Sequence, residues 1–364
     1  VKASENSSAT GISTTQSLYN AGFDAGWEID IFGGVRRSVE AAQADLQASN
    51  ENLRYVLVSL LAETALNYVE LRTYQARIDV AEANLRAQEE TYDIIRSRYK
   101  TGLSNELTLQ QARYNLESTR SQIPLLRSGL MAAANRLAVL IGQKPGELHQ
   151  LLLPHCPIPV TPPSVTVGVP AETLRQRPDI RKAERELAAQ TARIGVAVSD
   201  LYPKFRLTGS IGLESLESSE FFTSGSRFGS FGPGISWKIF SAGSVRKNIM
   251  AQSEKQKQCL LAYEAAILTA LEEVENSLTA YAQEQLRRER LSYAVDAAQR
   301  ANVLAEEQYK AGLINFSDVL DSQRSLLSFQ DQLAQSTGAV TSNLIKLYKA
   351  LGGGWEALEA SDED

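Results

Sequence analysis

Asp318 and Asp321 are spaced i and i+3, so on a helix their two carboxylates share one face. Such a pair draws cations and repels anions where it lines a constriction. Near a helix start, the same residues also suit the positive end of the macrodipole. Arg113 and Arg324 lie on neighbouring stretches and offer ion-pair partners. Tyr99 and Tyr309 offer ring contacts, first of all for packing adjacent helices. The raw material for catalysis is thin. His149 and His155 are the only histidines, and both sit in a proline-rich stretch, away from any nucleophile pattern. Cys156 and Cys259 have no metal-binding or disulfide-framework spacing. No phosphate-cradling glycine loop is present. The sequence therefore implies no enzyme, no cofactor and no metal centre.

The elements that carry these residues are unusually long. Between Gly34 and Gly102, and again between Gly243 and Gly312, the chain contains neither glycine nor proline. Those two residues are the main local helix breakers. Each run predicts a helix of roughly 100 Å at 1.5 Å rise per residue. The second run repeats the first. Trp27 and Trp237 are 210 positions apart (237 − 27), and the same offset maps Gly33 onto Gly243, Tyr99-Lys100 onto Tyr309-Lys310, Gly102-Leu103 onto Gly312-Leu313 and Gly142 onto Gly352. In the first run Leu71, Ile78, Leu85, Tyr92 and Tyr99 recur every seven residues, with Tyr74, Ala81 and Ile95 three positions after members of that series. That seam predicts left-handed coiled-coil packing. After each run comes a short turn and a returning helix, the first to about Ile141 with Pro124 expected to kink it.

The rest of the chain reads as strands and connectors. Trp27 to Phe32, Phe205 to Leu213 and Ile235 to Ile239 alternate apolar with polar or small residues. Trp27, Ile29 and Ile31, and likewise Trp237 and Ile239, fall on one face; Glu28 and Asp30, or Lys238, fall on the other. An apolar outer band with tryptophan near one boundary and charges inside suits a lipid-facing barrel wall. No run of eighteen apolar residues predicts a membrane-crossing helix. Four strands cannot close a barrel, and an open sheet in lipid leaves edge groups unpaired, so other copies of the chain must complete it. With 22% charged residues and a net charge of −6, both signs are mixed along the helices and no basic face predicts nucleic acid. The block from Arg177 to Leu213 has its counterpart largely before residue 1, and the reading expects a missing N-terminal helix, most of a strand and an export signal.

The residues at this point resemble a known family. Trp27-Glu28-Ile29-Asp30-Ile31-Phe32-Gly33-Gly34, Arg177-Pro178-Asp179-Ile180-Arg181-Lys182-Ala183-Glu184, Ile194-Gly195-Val196-Ala197, Tyr202-Pro203-Lys204-Phe205, the two Tyr-Lys-x-Gly-Leu turns and Asp318-Val319-Leu320-Asp321-Ser322-Gln323-Arg324 carry the resemblance. Together they cover nearly the whole chain. It resembles the TolC-like outer-membrane efflux ducts, and within them the lipoprotein branch that works with resistance-nodulation-division pumps. The resemblance implies a mostly α fold with a small β part. It implies a homotrimer whose long helices form a coiled-coil barrel across the periplasm, and whose strands complete a 12-stranded transmembrane β-barrel in the outer membrane of a Gram-negative bacterium.

On this reading residues 1–34 are the first, truncated pair of membrane strands and 35–141 the first periplasmic hairpin. Residues 142–177 are an equatorial connector holding seven of the eleven prolines, 178–202 a helix leading to the barrel and 203–242 a membrane β-hairpin. Residues 243–352 are the second periplasmic hairpin and 353–364 an acidic tail. The implied function is a passive exit duct, without cofactor, that receives cargo from an inner-membrane efflux pump through a periplasmic adaptor. The turns at Gly102-Leu103 and Gly312-Leu313 become the adaptor-docking tips, and Trp27 and Trp237 the membrane-interface aromatics. A periplasmic gate comprises Asp318, Asp321, Arg324, Arg113, Tyr99 and Tyr309, with a ring of six carboxylates from three copies. The first turn has no matching acids, so the ring comes from one half of each protomer. An N-terminal lipid anchor is expected on the intact protein. A structural coiled-coil tether without a pore is the alternative; it explains the helices but leaves the alternating strands and the connector without a purpose.

Overall fold

The computed structural model describes residues 2–7, 13–159 and 175–353. Residues 160–174 of the proline-rich connector and residues 354–364 of the acidic tail lie outside the described residues. In chain order the elements are β1 (Lys2–Ser7), β2 (Ser13–Ile29), α1 (Gly34–Lys100), α2 (Glu106–Leu140), α3 (His149–Leu152), α4 (Pro178–Ser199), β3 (Lys204–Ser215), β4 (Arg227–Ser236), α5 (Ser244–Lys310) and α6 (Phe316–Ala350). The fold is mostly helical with one small sheet. Both long helices, α1 and α5, have 67 residues, and both return helices, α2 and α6, have 35. Their ends coincide at the offset of 210 (34 + 210 = 244, 350 − 140 = 210). The duplication extends to the backbone: among the described residues six of the seven glycines with positive φ pair at that offset, Gly33 with Gly243, Gly102 with Gly312 and Gly142 with Gly352. Pro124 stands inside α2 without ending it.

The chain divides into two units, Val1–Asn50 with Lys182–Glu264 and Glu51–Arg181 with Ala265–Asp364. The first unit holds the sheet, which is antiparallel throughout in the order β1-β2-β3-β4. Its register sorts the side chains by chemistry. Phe23 opposes Ile211, Trp27 opposes Leu207 and Ile29 opposes Phe205. Phe205 in turn opposes Ile235, and Gly209 opposes Phe231. This face is apolar and open: Phe23 is 83% exposed, Phe231 78%, Ile235 70% and Ile211 69%. The alternate residues form a polar face, with Asn20 against Glu214, Asp24 against Ser210 and Glu28 against Arg206.

Two of the expected strands are shorter at their ends than alternation predicted. β2 stops at Ile29 because the Asp30 carboxylate turns to the start of α1, accepting from the N–H groups of Val35 (3.1 Å) and Arg36 (2.9 Å). That leaves Ile31 and Phe32 outside the sheet, where Phe32 stacks on Tyr202 with centroids 4.6 Å apart. β4 stops at Ser236, so Trp237, Lys238 and Ile239 lie beyond it. The Trp237 indole Nε1–H donates to the Leu201 carbonyl at 3.1 Å. Trp27 and Trp237 match in sequence but not in structure: the first is a strand residue and the second is not.

In the second unit the expected seam is present along α1. Leu71, Ala81 and Ile95 are buried, at 0%, 2% and 1% exposure. Leu71 packs with Ala133, Ala134 and Leu137 of α2 and Leu152 of α3. Tyr74, Ile78 and Leu85 surround Ala81, Ile123 and Leu126, so the helix around Pro124 is held to α1 through Ile123 and Leu126. Tyr92 joins the Ile95 cluster, but Tyr99 leaves the seam and is exposed. By contrast α5 buries only five residues along its length: Ala270, Val274, Tyr281, Leu291 and Asn302. Leu261, Leu268, Leu286 and Tyr293 stand open on it.

Candidate functional site

The two helix turns fold by the same local chemistry. Lys100 and Lys310 end the long helices, and glycine follows two residues later in the left-handed region, with φ of 75° at Gly102 and 74° at Gly312. That conformation lets the Gly N–H bond the tyrosine carbonyl (Gly102 to Tyr99 and Gly312 to Tyr309, both 3.0 Å). The next residue bonds one carbonyl further back: Leu103 to Arg98 at 2.8 Å, Leu313 to Gln308 at 2.9 Å. Leu103 and Leu313 both point outward, 78% and 75% exposed. Asn105 and Asn315 then cap the return helices. One apolar cluster, with Ile95, Ala112, Phe316, Val319 and Leu320 at its centre, joins the four helix ends.

On this frame the sequence-predicted residues fall into different roles. Asp318 is the third residue of α6, and its carboxylate accepts from the Asn315 N–H at 3.2 Å, closing a capping box. Asp321 is the open acid, its side chain 76% exposed, with the Arg324 Nη1 3.8 Å away. Arg324 reaches the first hairpin instead of an acid there: its Nε donates to Asn115 Oδ1 at 3.0 Å and its guanidinium lies 5.0 Å from the Tyr114 ring centroid. Arg113 is exposed on α2 and is not part of this contact. Tyr309 is packed, 5.3 Å from Phe316 between centroids and beneath the Arg98 guanidinium at 5.4 Å. Tyr99 is 40% exposed. The structure thus brings Asp321, Arg324 and Tyr309 onto one helical end with Asp318 as a cap, and it sets Tyr99 and Arg113 apart from them.

Two buried arginines grip the ends of the connector, and the residue pattern alone gave neither a role. Arg72 is 3% exposed; its Nη1 donates to the carbonyls of Leu152 (3.1 Å) and Pro154 (2.9 Å), and Gln75 Nε2 binds the Leu153 carbonyl at 3.0 Å. These are the open carbonyls at the end of α3, where a cation is favourable. Arg177, 5% exposed, binds Asp179 and Glu273 at 2.7 Å each and donates to the Ala350 carbonyl at 2.7 Å. Burial pulls its guanidinium down, but the hydrogen bonds to Asp179 and Glu273 outweigh that and hold it above its usual range. The signal in the sequence was Arg-Pro-Asp at a helix start: proline opens α4 and leaves the flanking charges to pair.

Chemically, the site offers open carboxylate and guanidinium groups on rigid helix ends, and no nucleophile–base geometry. Among the described residues no group of three or more His, Cys, Asp or Glu could hold a metal ion. No helix among them is long and apolar enough to cross a membrane.

Comparison with known proteins covers nearly the whole chain. The family described as outer membrane efflux protein matches residues 1–143 and 169–353. The chain is 35% identical over 351 residues to the toluene efflux pump outer membrane protein TtgI of Pseudomonas putida, covering 96% of this chain and 74% of that one. It is 33% identical over 355 residues to the cation efflux system protein CusC of Escherichia coli, covering 95% and 75%. Among solved structures, the outer-membrane channel OprN superposes with a TM-score of 0.91 at 34% identity, over 98% of this chain and 80% of that one. VceC of Vibrio cholerae gives 0.87 at 25%, over 97% and 85%.

Proposed function

The chain belongs to the outer membrane efflux protein family, and from that premise we propose how its parts serve an exit duct. It is an outer-membrane channel component of a tripartite efflux system, and its fold is that of efflux channels, not of an enzyme. Three copies associate, and the four-stranded sheets join edge to edge into a 12-stranded barrel. The observation that carries this reading is the two-faced sheet, with Phe23, Ile211, Phe231 and Ile235 open on one side and Asn20, Asp24, Arg206 and Ser210 on the other. Lipid covers the first face and water fills the second. The open leucines of α5 support the same assembly, since a neighbouring copy buries them.

The membrane strands lie within residues 1–34 and 203–242, ending at Ile29 and Ser236, with 178–202 leading to them. Hairpins 35–141 and 243–352 form the periplasmic wall, tied at its equator by connector 142–177, and residues 353–364 form a tail. The turns at Gly102-Leu103 and Gly312-Leu313 present exposed leucines to the periplasmic adaptor, which links the duct to an inner-membrane pump. Asp321, with Asp318 behind it, lines the tip, and Arg324 steadies it against Tyr114 and Asn115. An N-terminal lipid anchor belongs to the same reading, one relative being described as a probable outer membrane lipoprotein. One relative is named for toluene and another for a cation, both with similar identity across the chain. The pump, and not this wall, selects the cargo.

The experiment is a charge placed on each sheet face. Phe231→Asp puts a carboxylate into lipid, an unfavourable transfer, and is expected to remove the protein from the outer-membrane fraction. Ser210→Asp puts the same charge into the wet lumen and is expected to leave insertion intact. Equal insertion of both variants would overturn the membrane reading of the sheet.

A further inference from the structure

Above the tip, the apolar packing between α1 and the second hairpin gives way to a layer of carboxamides. Asn84 and Gln88 of α1, Gln299 and Asn302 of α5, and Gln323 and Gln330 of α6 line one cleft of about 200 Å3. None of their counterparts at the offset of 210 is a carboxamide: these are Ala294, Ala298, Glu89, Tyr92, Arg113 and Arg120. The layer therefore belongs to one place in the wall and is not a by-product of the duplication. Asn84 Nδ2 donates to Gln330 Oε1 at 2.7 Å, Gln323 Nε2 to Thr91 Oγ1 at 3.2 Å and Ser322 Oγ to Asn302 Oδ1 at 3.0 Å, crossing between the three helices. Two members are left over. Gln88 and Gln323 are each 4% exposed. Both amide atoms of Gln88, and Oε1 of Gln323, have no hydrogen-bond partner among the described residues.

A buried amide without partners is costly, and buried polar atoms are ordinarily satisfied by protein or by ordered water. The lining residues are neutral and supply both donors and acceptors, and Asn302 (3.0 Å) and Gln323 (3.4 Å) both donate to the Glu306 carboxylate beside them. This donor set suits a small neutral hydrogen-bonding guest and not an ion. One water needs only about 10–15 Å3 of such space, so the cleft has room for several. We propose that this cleft is a binding site for a cluster of waters, and that the wet layer lets α5 and α6 shift against α1. Amide–water bonds exchange partner by partner, whereas interdigitated apolar side chains resist sliding. The second part of the proposal rests on the duct reading; the first does not.

Leu326 lines the same cleft and is 6% exposed, and Leu126, in an apolar cluster of α1 and α2, is 7% exposed. Hydroxyl-radical footprinting by X-ray pulse on the intact reconstituted protein generates radicals from bound water. Leu326 is expected to be modified several-fold faster than Leu126, and the Gln88→Leu/Gln323→Leu variant to bring the two rates together. Equal rates in the unaltered protein would overturn the water site. In planar bilayers the same variant is expected to open less often than its parent, and an unchanged opening frequency would overturn the sliding role. If the double variant does not assemble, Gln88→Met is measured in its place. If neither the parent nor Asp318→Ala/Asp321→Ala ever opens, the duct reading fails, while the footprinting ratio still decides the water site.

Discussion

At the first turn, the Thr108 N–H and hydroxyl both donate to Asn105 Oδ1 at 2.8 Å. At the second turn Asp318 occupies the same position and returns a bond to the Asn315 N–H at 3.2 Å. Both return helices start on an asparagine cap, and only the second adds a carboxylate to it, on backbones whose glycines differ in φ by only 1°. Next along each helix, Gln111 faces Asp321 across the duplication, and Glu106 corresponds to Phe316. The last exchange explains the tyrosines. Tyr309 has Phe316 to pack on, and Tyr99 has a glutamate at the matching place. Geometry has been kept through the duplication, while charge and packing have been moved into one copy.

The sharpest difference is expected at Gly338. A Cβ there would meet Thr73 Oγ1 at 2.0 Å and Thr73 Cβ at 3.1 Å. Gly338→Ala is expected to destabilise by about 1–3 kcal/mol through overpacking, whereas Ser128→Ala at the exposed counterpart stays within about 0.5 kcal/mol. Denaturant unfolding of the two variants measures this, and equal losses would remove the close approach of α1 and α6 from the account. The turns themselves are expected to behave alike. Gly102→Ala and Gly312→Ala each place a Cβ in the left-handed region with open space around it, costing about 1–2 kcal/mol. Thermal melts that separate these two variants clearly would break the claim of equal backbones.

A smaller difference concerns the starts of the long helices. Asp30 caps α1, and its carboxyl is held below the usual range chiefly by the Arg36 N–H, with the Val35 N–H and the Arg36 guanidinium adding to it. Phe240 occupies the matching place before α5 and can do none of this. Because the folded state lowers the Asp30 pKa, its contribution is present above the unfolded value of about 3.9 and is lost as pH falls through the folded value. Asp30→Asn is therefore expected to lower the melting temperature at neutral pH and to converge with the parent in strong acid. A difference that stays constant down to acid pH would assign the effect to something other than the carboxylate.

Much of this was legible in the chain. Absence of glycine and proline over nearly seventy positions leaves little besides helix, and the seven-residue spacing of Leu71, Ile78, Leu85 and Tyr92 located the packed side of α1. The Tyr-Lys-x-Gly-Leu pattern marked both turns because only glycine enters the left-handed region at no cost. Long-range partners were not legible. Alternation carried the strand reading through Trp237 and Ile239, but nothing local tells that the indole turns to the Leu201 carbonyl. Tyr99 and Tyr309 share the Lys-x-Gly-Leu that follows them, and their burial is decided by Glu106 and Phe316 on other helices. Asn-x-x-Asp at 315–318 did contain a capping signal; reading the two aspartates as equal partners passed over it. The Arg324 contact with Tyr114 and Asn115 needs the two hairpins side by side, which sequence spacing cannot supply.

The central claim is that the duplicated walls end in chemically unequal tips and that the acids of the second tip govern passage. Reversal potentials of the full-length protein in planar bilayers under a salt gradient test it most directly. The parent is expected to prefer cations, Asp318→Ala/Asp321→Ala to lose most of that preference, and Thr108→Asp/Gln111→Asp to strengthen it. Ion selectivity unchanged in both variants, or no conductance in any form, would contradict the account.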